Sequence, residues 1–166
     1  MTDTPIDPLV IIELTNLKAD GKLKELASHP ALAMKPEWMG ELARDEDWQV
    51  RSALAENPAI AKWSGALRIL ALDDRSAVRC GVAANPAIAR FPEIMVMLSM
   101  DGTWPVRSFL ASNPALAEVP EAVRILSIDG NPDVRHWLAQ NPAIPTRTAS
   151  SGPWRTTQPT TQVPTI

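Results

Sequence analysis

Four arginines and four aspartates stand at fixed intervals along this chain. Arg51, Arg79, Arg107 and Arg135 are 28 residues apart, and Asp45, Asp73, Asp101 and Asp129 each lie six residues before one of them. A row of guanidinium groups can grip phosphates or an acidic partner, because each offers a planar fork of donors. The same row can instead brace a fold, each Arg bridging Asp carboxylates or free helix-end carbonyls in its own or the next unit. The charge count favours the brace. Residues 26–147 carry 12 Lys/Arg against 14 Asp/Glu, and eight against ten remain once the two columns cancel. No basic track is left to release counterions from a nucleic acid.

Other reactive residues are sparse. Asp73 and Asp74 are adjacent carboxylates at an expected helix end, where such pairs are solvated rather than set at an acid/base distance. Cys80 is the one cysteine; with small neighbours and no nearby His it reads as a small buried hydrophobe, not a nucleophile. His29 and His136 are the only histidines, and neither has a His or Cys partner at metal-ligand spacing. The chain contains no G-x-S-x-G, P-loop, G-x-G-x-x-G or H-E-x-x-H motif. No enzyme activity, metal or cofactor is expected.

The elements that carry these columns repeat with them. Val50, Val78, Val106 and Val134 precede the four Arg residues, and Asn57, Asn85, Asn113 and Asn141 each precede a proline. Leu42, Leu70, Leu98 and Leu126 keep the same step, as do Ala55, Ala83, Ala111 and Ala139. A fixed period of 20–50 residues is how stacked repeats look in sequence: each unit buries its apolar face only against its neighbours.

The unit reads as helical. In TWPVRSFLASNP, residues 103–114, Pro105 suits a first helical turn, and Val106 and Leu110 are four apart. Asn113 stands before Pro114, where the α region is disfavoured, so the helix ends there. Asn113 also suits the N-cap of the next short turn, PALA, which is short enough to be 3₁₀. His29 stands in the Asn column and is read the same way. A second helix is expected over residues 120–129, with Val123 and Leu126 inward, Ala122 beside them, and Glu121 near its positive end. Each Arg of the Val-Arg pairs should point about 100° from its Val, toward the recurring Ala.

The predicted fold is all-α: a right-handed superhelical solenoid of 28-residue helical repeats with short 3₁₀ turns. Residues 1–25 form an off-pattern helical cap, residues 26–147 the repeats, and residues 148–166, rich in Thr and Pro, a disordered tail. The apolar run at residues 9–12 is too short for a signal peptide or a membrane span. One cysteine and no leader fit a cytoplasmic setting.

The string D-x₄-V-R-x₂-(L/V)-A-x-N-P, seen as DDRSAVRCGVAANP, DGTWPVRSFLASNP and DGNPDVRHWLAQNP, resembles the leucine-rich repeat variant family of bacterial proteins. The resemblance covers residues 26–145 and implies a right-handed superhelix of alternating α and 3₁₀ helices. The iron–sulfur cluster of one family member is not implied, since its cysteines are missing. The 28-residue unit is longer than the family's usual repeat and could hold two full α-helices, which is closer to HEAT repeats.

The columns that vary bear on function. Position 53 and its equivalents read Ala53, Gly81, Phe109 and Trp137; Trp48 and Trp104 share another column. The chain has no Tyr and two Phe but six Trp. Large aromatics off the core pattern are common in binding patches, although a curved stack also needs fillers of different size. Trp48, Trp104, Phe109, His136 and Trp137 are therefore the expected partner-binding residues of a non-enzymatic protein-binding scaffold. Two alternatives stay open. One is a nucleic-acid-binding or glycosylase-like enzyme on a HEAT-like frame, by fold analogy. The other is self-assembly through the C-terminal end of the stack.

Overall fold

The Leu-Ala-x-Asn-Pro strings sit at the points where the chain changes direction. In a computed structural model, which describes residues 8–30, 32 and 36–144, every described element is helical. The α-helices are α1 (Pro8–Ala19), α2 (Leu23–Ser28), α3 (Pro36–Leu42), α4 (Trp48–Glu56), α5 (Ser64–Ala71), α6 (Ser76–Ala84), α7 (Pro92–Ser99), α8 (Trp104–Ser112), α9 (Pro120–Ser127) and α10 (Pro132–Gln140). Short 3₁₀ helices at Pro58–Lys62, Pro86–Arg90 and Pro114–Glu118 follow α4, α6 and α8. Between residues 48 and 127 each unit thus has two α-helices with a 3₁₀ helix between them.

Local chemistry sets these boundaries. Asn57, Asn85 and Asn113 are extended, as a residue before proline must be, and each side chain accepts the N–H two residues on. Proline then takes the first 3₁₀ position, where no N–H is needed. At the other corner, Asp45, Asp73, Asp101 and Asp129 accept the N–H of Asp47, Arg75, Thr103 and Asn131 at 2.8–2.9 Å, each closing a tight Asx turn.

Tertiary packing follows in rows. α2, α4, α6, α8 and α10 lie one against the next, α5, α7 and α9 form a second row, and the three 3₁₀ helices a third. All rows close on one continuous core. Leu42, Leu70, Leu98 and Leu126 are buried in it, as are Val50, Val78, Val106 and Val134. Of the second helix, Ala122 and Leu126 are buried and Val123 is half-buried. The repeated Ala is fully buried at 55, 83 and 111 and exposed at 139, on the outer side of α10. Among the described residues no helix is long and apolar enough to cross a membrane. The tail expected at residues 148–166 lies outside the described residues.

Candidate functional site

The Arg and Asp columns meet between units. Arg51 donates from Nε and Nη2 to the two carboxylate oxygens of Asp73, at 2.6 and 3.0 Å, and from Nη1 to the Asp45 carbonyl at 2.7 Å. Arg79 repeats this with Asp101 and the Asp73 carbonyl, and Arg107 with Asp129 and the Asp101 carbonyl. Each guanidinium therefore clasps the carboxylate 22 residues ahead and the backbone six behind. The carboxylates respond. Burial alone would raise Asp73 and Asp101, but the Arg forks and the Asx-turn N–H groups hold both below the ordinary carboxylate range. Asp129 is lowered chiefly by Arg107.

The ladder ends differently on its two sides. Position 23, where an Arg for Asp45 would stand, is Leu23, and Lys18 comes within 3.9 Å of Asp45 and 2.8 Å of Glu46 instead. Arg135 is exposed and donates to the Asp129 carbonyl; the position 22 residues on lies outside the described residues. With Arg51, Arg79 and Arg107 in buried bidentate pairs, their side chains only 12–17% exposed, the column is no phosphate track. Asp73 is likewise held by Arg51, and Asp74 lies 3.1 Å from the same guanidinium, so the adjacent carboxylates form no free acid/base pair.

The Asn column does more than cap. Asn85 Nδ2 donates to the carbonyls of Ala55 and Asn57, at 2.7 and 3.1 Å, in the preceding unit. Asn57, Asn113 and Asn141 repeat the pattern, the first on Ala27 and His29. His29 does share the backbone part of this role: its N–H closes α2 on Leu26, as Asn57 N–H closes α4 on Leu54.

The five aromatic candidates stand at two recurring helix positions, with His136 beside one of them. Phe109 and Trp137 are 48% and 49% exposed and hold the same position on neighbouring helices α8 and α10. His136 stands edge-on to Trp137, with ring centroids 6.0 Å apart. Earlier in this column a Cβ on Gly81 would come within 3.1 Å of the Ala55 Cβ, so α6 lies closer to α4 than a side chain there would allow. Cys80 is half-buried beside it, its thiol pushed up by burial and so not activated. Ser108, the residue before Phe109, is buried with a hydroxyl that has no hydrogen-bond partner among the described residues.

Trp48 and Trp104, 38% and 46% exposed, occupy the first positions of α4 and α8. Trp104 lies five residues before Phe109, about 140° around the helix, yet Trp48 and Ala53, in the same two columns on α4, border one hollow. Trp48 borders two hollows. One lies along α4 with Lys24, Glu25, Ser52 and Ala53; the other lies toward α5 with Arg44, Ile69, Leu72 and Arg75.

That second hollow leads to residues the column reading passed over. Leu72, Met100 and Ile128 are 71%, 63% and 75% exposed, each directly before a ladder Asp. Ile69, Met97 and Ile125, three residues earlier, are half-buried beside them. One sequence signal points to them: an apolar residue at the 28-residue step in three units, with Arg44 in the same place of the first. Trp38, in contrast, is core.

Among the described residues no group of three or more His, Cys, Asp or Glu is placed to hold a metal ion. No protein-family model, curated protein or solved structure matches this chain.

Proposed function

We propose that the chain is a right-handed solenoid of 28-residue units, of the kind the leucine-rich repeat variant resemblance implies, acting as a non-enzymatic scaffold that binds another protein in the bacterial cytoplasm. The observation that carries the reading is the pair Phe109 and Trp137. Each is about half exposed, on the neighbouring helices α8 and α10, which share the Val, Arg, Leu and Ala columns. Interface hot spots are built from such exposed, neighbouring aromatics. The ladders around them hold backbone and register, so little order has to be gained on binding.

The test is affinity capture from a lysate of the source organism, followed by titration with each captured protein after purification. Phe109→Ala with Trp137→Ala should weaken a true partner at least ~10-fold and leave the melting temperature unchanged. Retention of every partner by the double variant removes this face from the proposal. Absence of any partner that binds in purified form removes the scaffold reading. A second reading, self-assembly on the outer side of α10, is supported by the exposed Ala139, whose equivalents are fully buried. A rise in mass with concentration, measured by light scattering, would favour it.

A further inference from the structure

The two ends of the stack are covered differently. At the first, α1 packs on α2 and α3. At the other, the described residues stop at Ile144 beside α10, and the chain runs on for 22 residues, 145–166. We propose that this segment covers the C-terminal end, with the Trp154 indole seated against α9 and α10 at the next step of the buried Leu column. The inference does not depend on the partner-binding reading, and it competes with the self-assembly reading for one surface.

Register singles out the residue. Leu42, Leu70, Leu98 and Leu126 belong to the core, and the next 28-residue step is Trp154. Leu70, Leu98 and Leu126 each stand ten residues after a fully buried residue of the preceding 3₁₀ helix, Ile60, Ile88 and Leu116. Ile144 continues that second column, and Trp154 stands ten residues after it. No other large apolar residue occurs between 145 and 162. Gly152 and Pro153 oppose a regular helix at this point, so the proposal concerns a plug and not a further helical unit. Ten residues reach at most about 35 Å, and packed helices stand about 8–10 Å apart, so the tether is long enough.

The surface to be covered lies where that register leads. α5, α7 and α9 each pack on the 3₁₀ helix before them and on the first-row helix after them, and α7 and α9 also pack on their predecessor in the row. Among the described residues no helix packs beyond α9 in its row. Its side chains show the difference: Val123 is half-buried where Leu67 and Met95 are fully buried, and Ser127 is half-buried where Ala71 and Ser99 are buried. Ile144 is 8% exposed where Ile60, Ile88 and Leu116 are 0%, and Ala139 is exposed. A stacked unit buries apolar surface only against its neighbours, so an end needs a cover. A Trp side chain buries about 150–250 Å², enough for a patch of this kind.

Charge and polarity favour the chain's own segment over a second copy. Residues 118–140 carry four carboxylates and two arginines, whereas the charged side chains of 145–166 are Arg147 and Arg155 alone, so the two attract. Arg135 and His136, four and three residues before Ala139 and hence on its face, are exposed. A small plug leaves those polar groups in water; a broad contact between copies would have to desolvate them.

The test uses the full chain and three variants of it, Trp154→Ala, Trp154→Leu and Val163→Ala, read by hydrogen exchange and by NMR. In Trp154→Ala the amides of α9 and α10 should exchange at least ~10-fold faster than in the parent, while those of α4 and α5 keep their rates. Its melting temperature should fall by ~4 °C or more. Trp154→Leu, which restores the residue of the column, should recover most of the protection, and Val163→Ala should behave as the parent. The indole N–H signal that Trp154→Ala removes should belong to a ring with nuclear Overhauser contacts to the Val123 methyl groups. Equal exchange in the parent and Trp154→Ala overturns the inference, as does absence of those contacts. A change spread evenly over all helices also overturns it, because the cover would then not lie at this end. Protection of α9 and α10 that rises with protein concentration assigns the end to a second copy instead and overturns it too.

Discussion

Arg79 reaches across a unit boundary to Asp101, donating at 2.7 and 3.0 Å to its two carboxylate oxygens, while its third arm holds the Asp73 carbonyl at 2.7 Å. One side chain thereby ties three things: its own helix, the corner that precedes it and the corner of the next unit. Asp101 in turn accepts the Thr103 N–H, which closes the corner the Arg grips. Because the fork is planar and the carboxylate bidentate, the pair fixes orientation as well as distance.

Asp101→Asn should therefore cost far more than a surface pair would. It leaves a mostly buried guanidinium without its counter-charge, and breaking such pairs costs about 3–5 kcal/mol. Urea unfolding of the variant should show that loss. Arg68→Ala, which removes an exposed pair with Glu93, should change stability by less than about 1 kcal/mol.

Asn113 separates capping from bridging. Asn113→Ala removes a cap and the donor to two buried carbonyls, Ala83 and Asn85, at a cost of about 2–4 kcal/mol. Asn113→Asp keeps the cap acceptor but sets a carboxylate against those carbonyls. Asp is ordinarily an excellent cap, yet here it should be the less stable variant at pH 7 in denaturant titrations.

Stability should fall in acid. The folded-state values of Asp73, Asp101 and Asp129 lie below the ordinary ~3.9 of an unfolded aspartate. Their contribution is thus complete above about pH 4 and is lost as pH drops through the folded values. Unfolding free energy should decline steeply below about pH 4, with a shallower slope in Asp101→Asn. An equal slope in the two proteins would count against the ladder as the source.

Gly81→Ala should bring no gain in melting temperature. Replacing a helical Gly ordinarily stabilises by about 1 kcal/mol. Here the new methyl meets Ala55 Cβ at 3.1 Å and Glu56 Cγ at 3.3 Å, and the first of these cannot swing away. Parting α4 from α6 should offset the propensity gain, and Gly81→Val should melt lower still.

Much of this was legible in the one-dimensional pattern. The helical class, the corners at Asn-Pro, and the burial of the Leu and Val columns, and of the Ala column up to 111, follow from period and local preference. The bracing role of Arg and Asp followed from charge balance. Two things were not legible. The Asn donors serve carbonyls 28 and 30 residues back, and backbone carbonyls carry no residue signature. The Leu72, Met100 and Ile128 column is apolar in three units and Arg44 in the first, and such recurrence does not say which side of a helix end faces water.

What the sequence determined by itself is the unit: its length, its helices and its caps, all set by interactions within a few residues. What only the tertiary structure decided is how one unit meets the next. Stacking chose the Asp 22 residues ahead as the Arg partner, pressed Gly81 against Ala55, and left Phe109, Trp137 and the Met100 stripe on separate open surfaces. Those outcomes depend on side chains far apart along the chain arriving at one place, and local preference carries no information about that meeting.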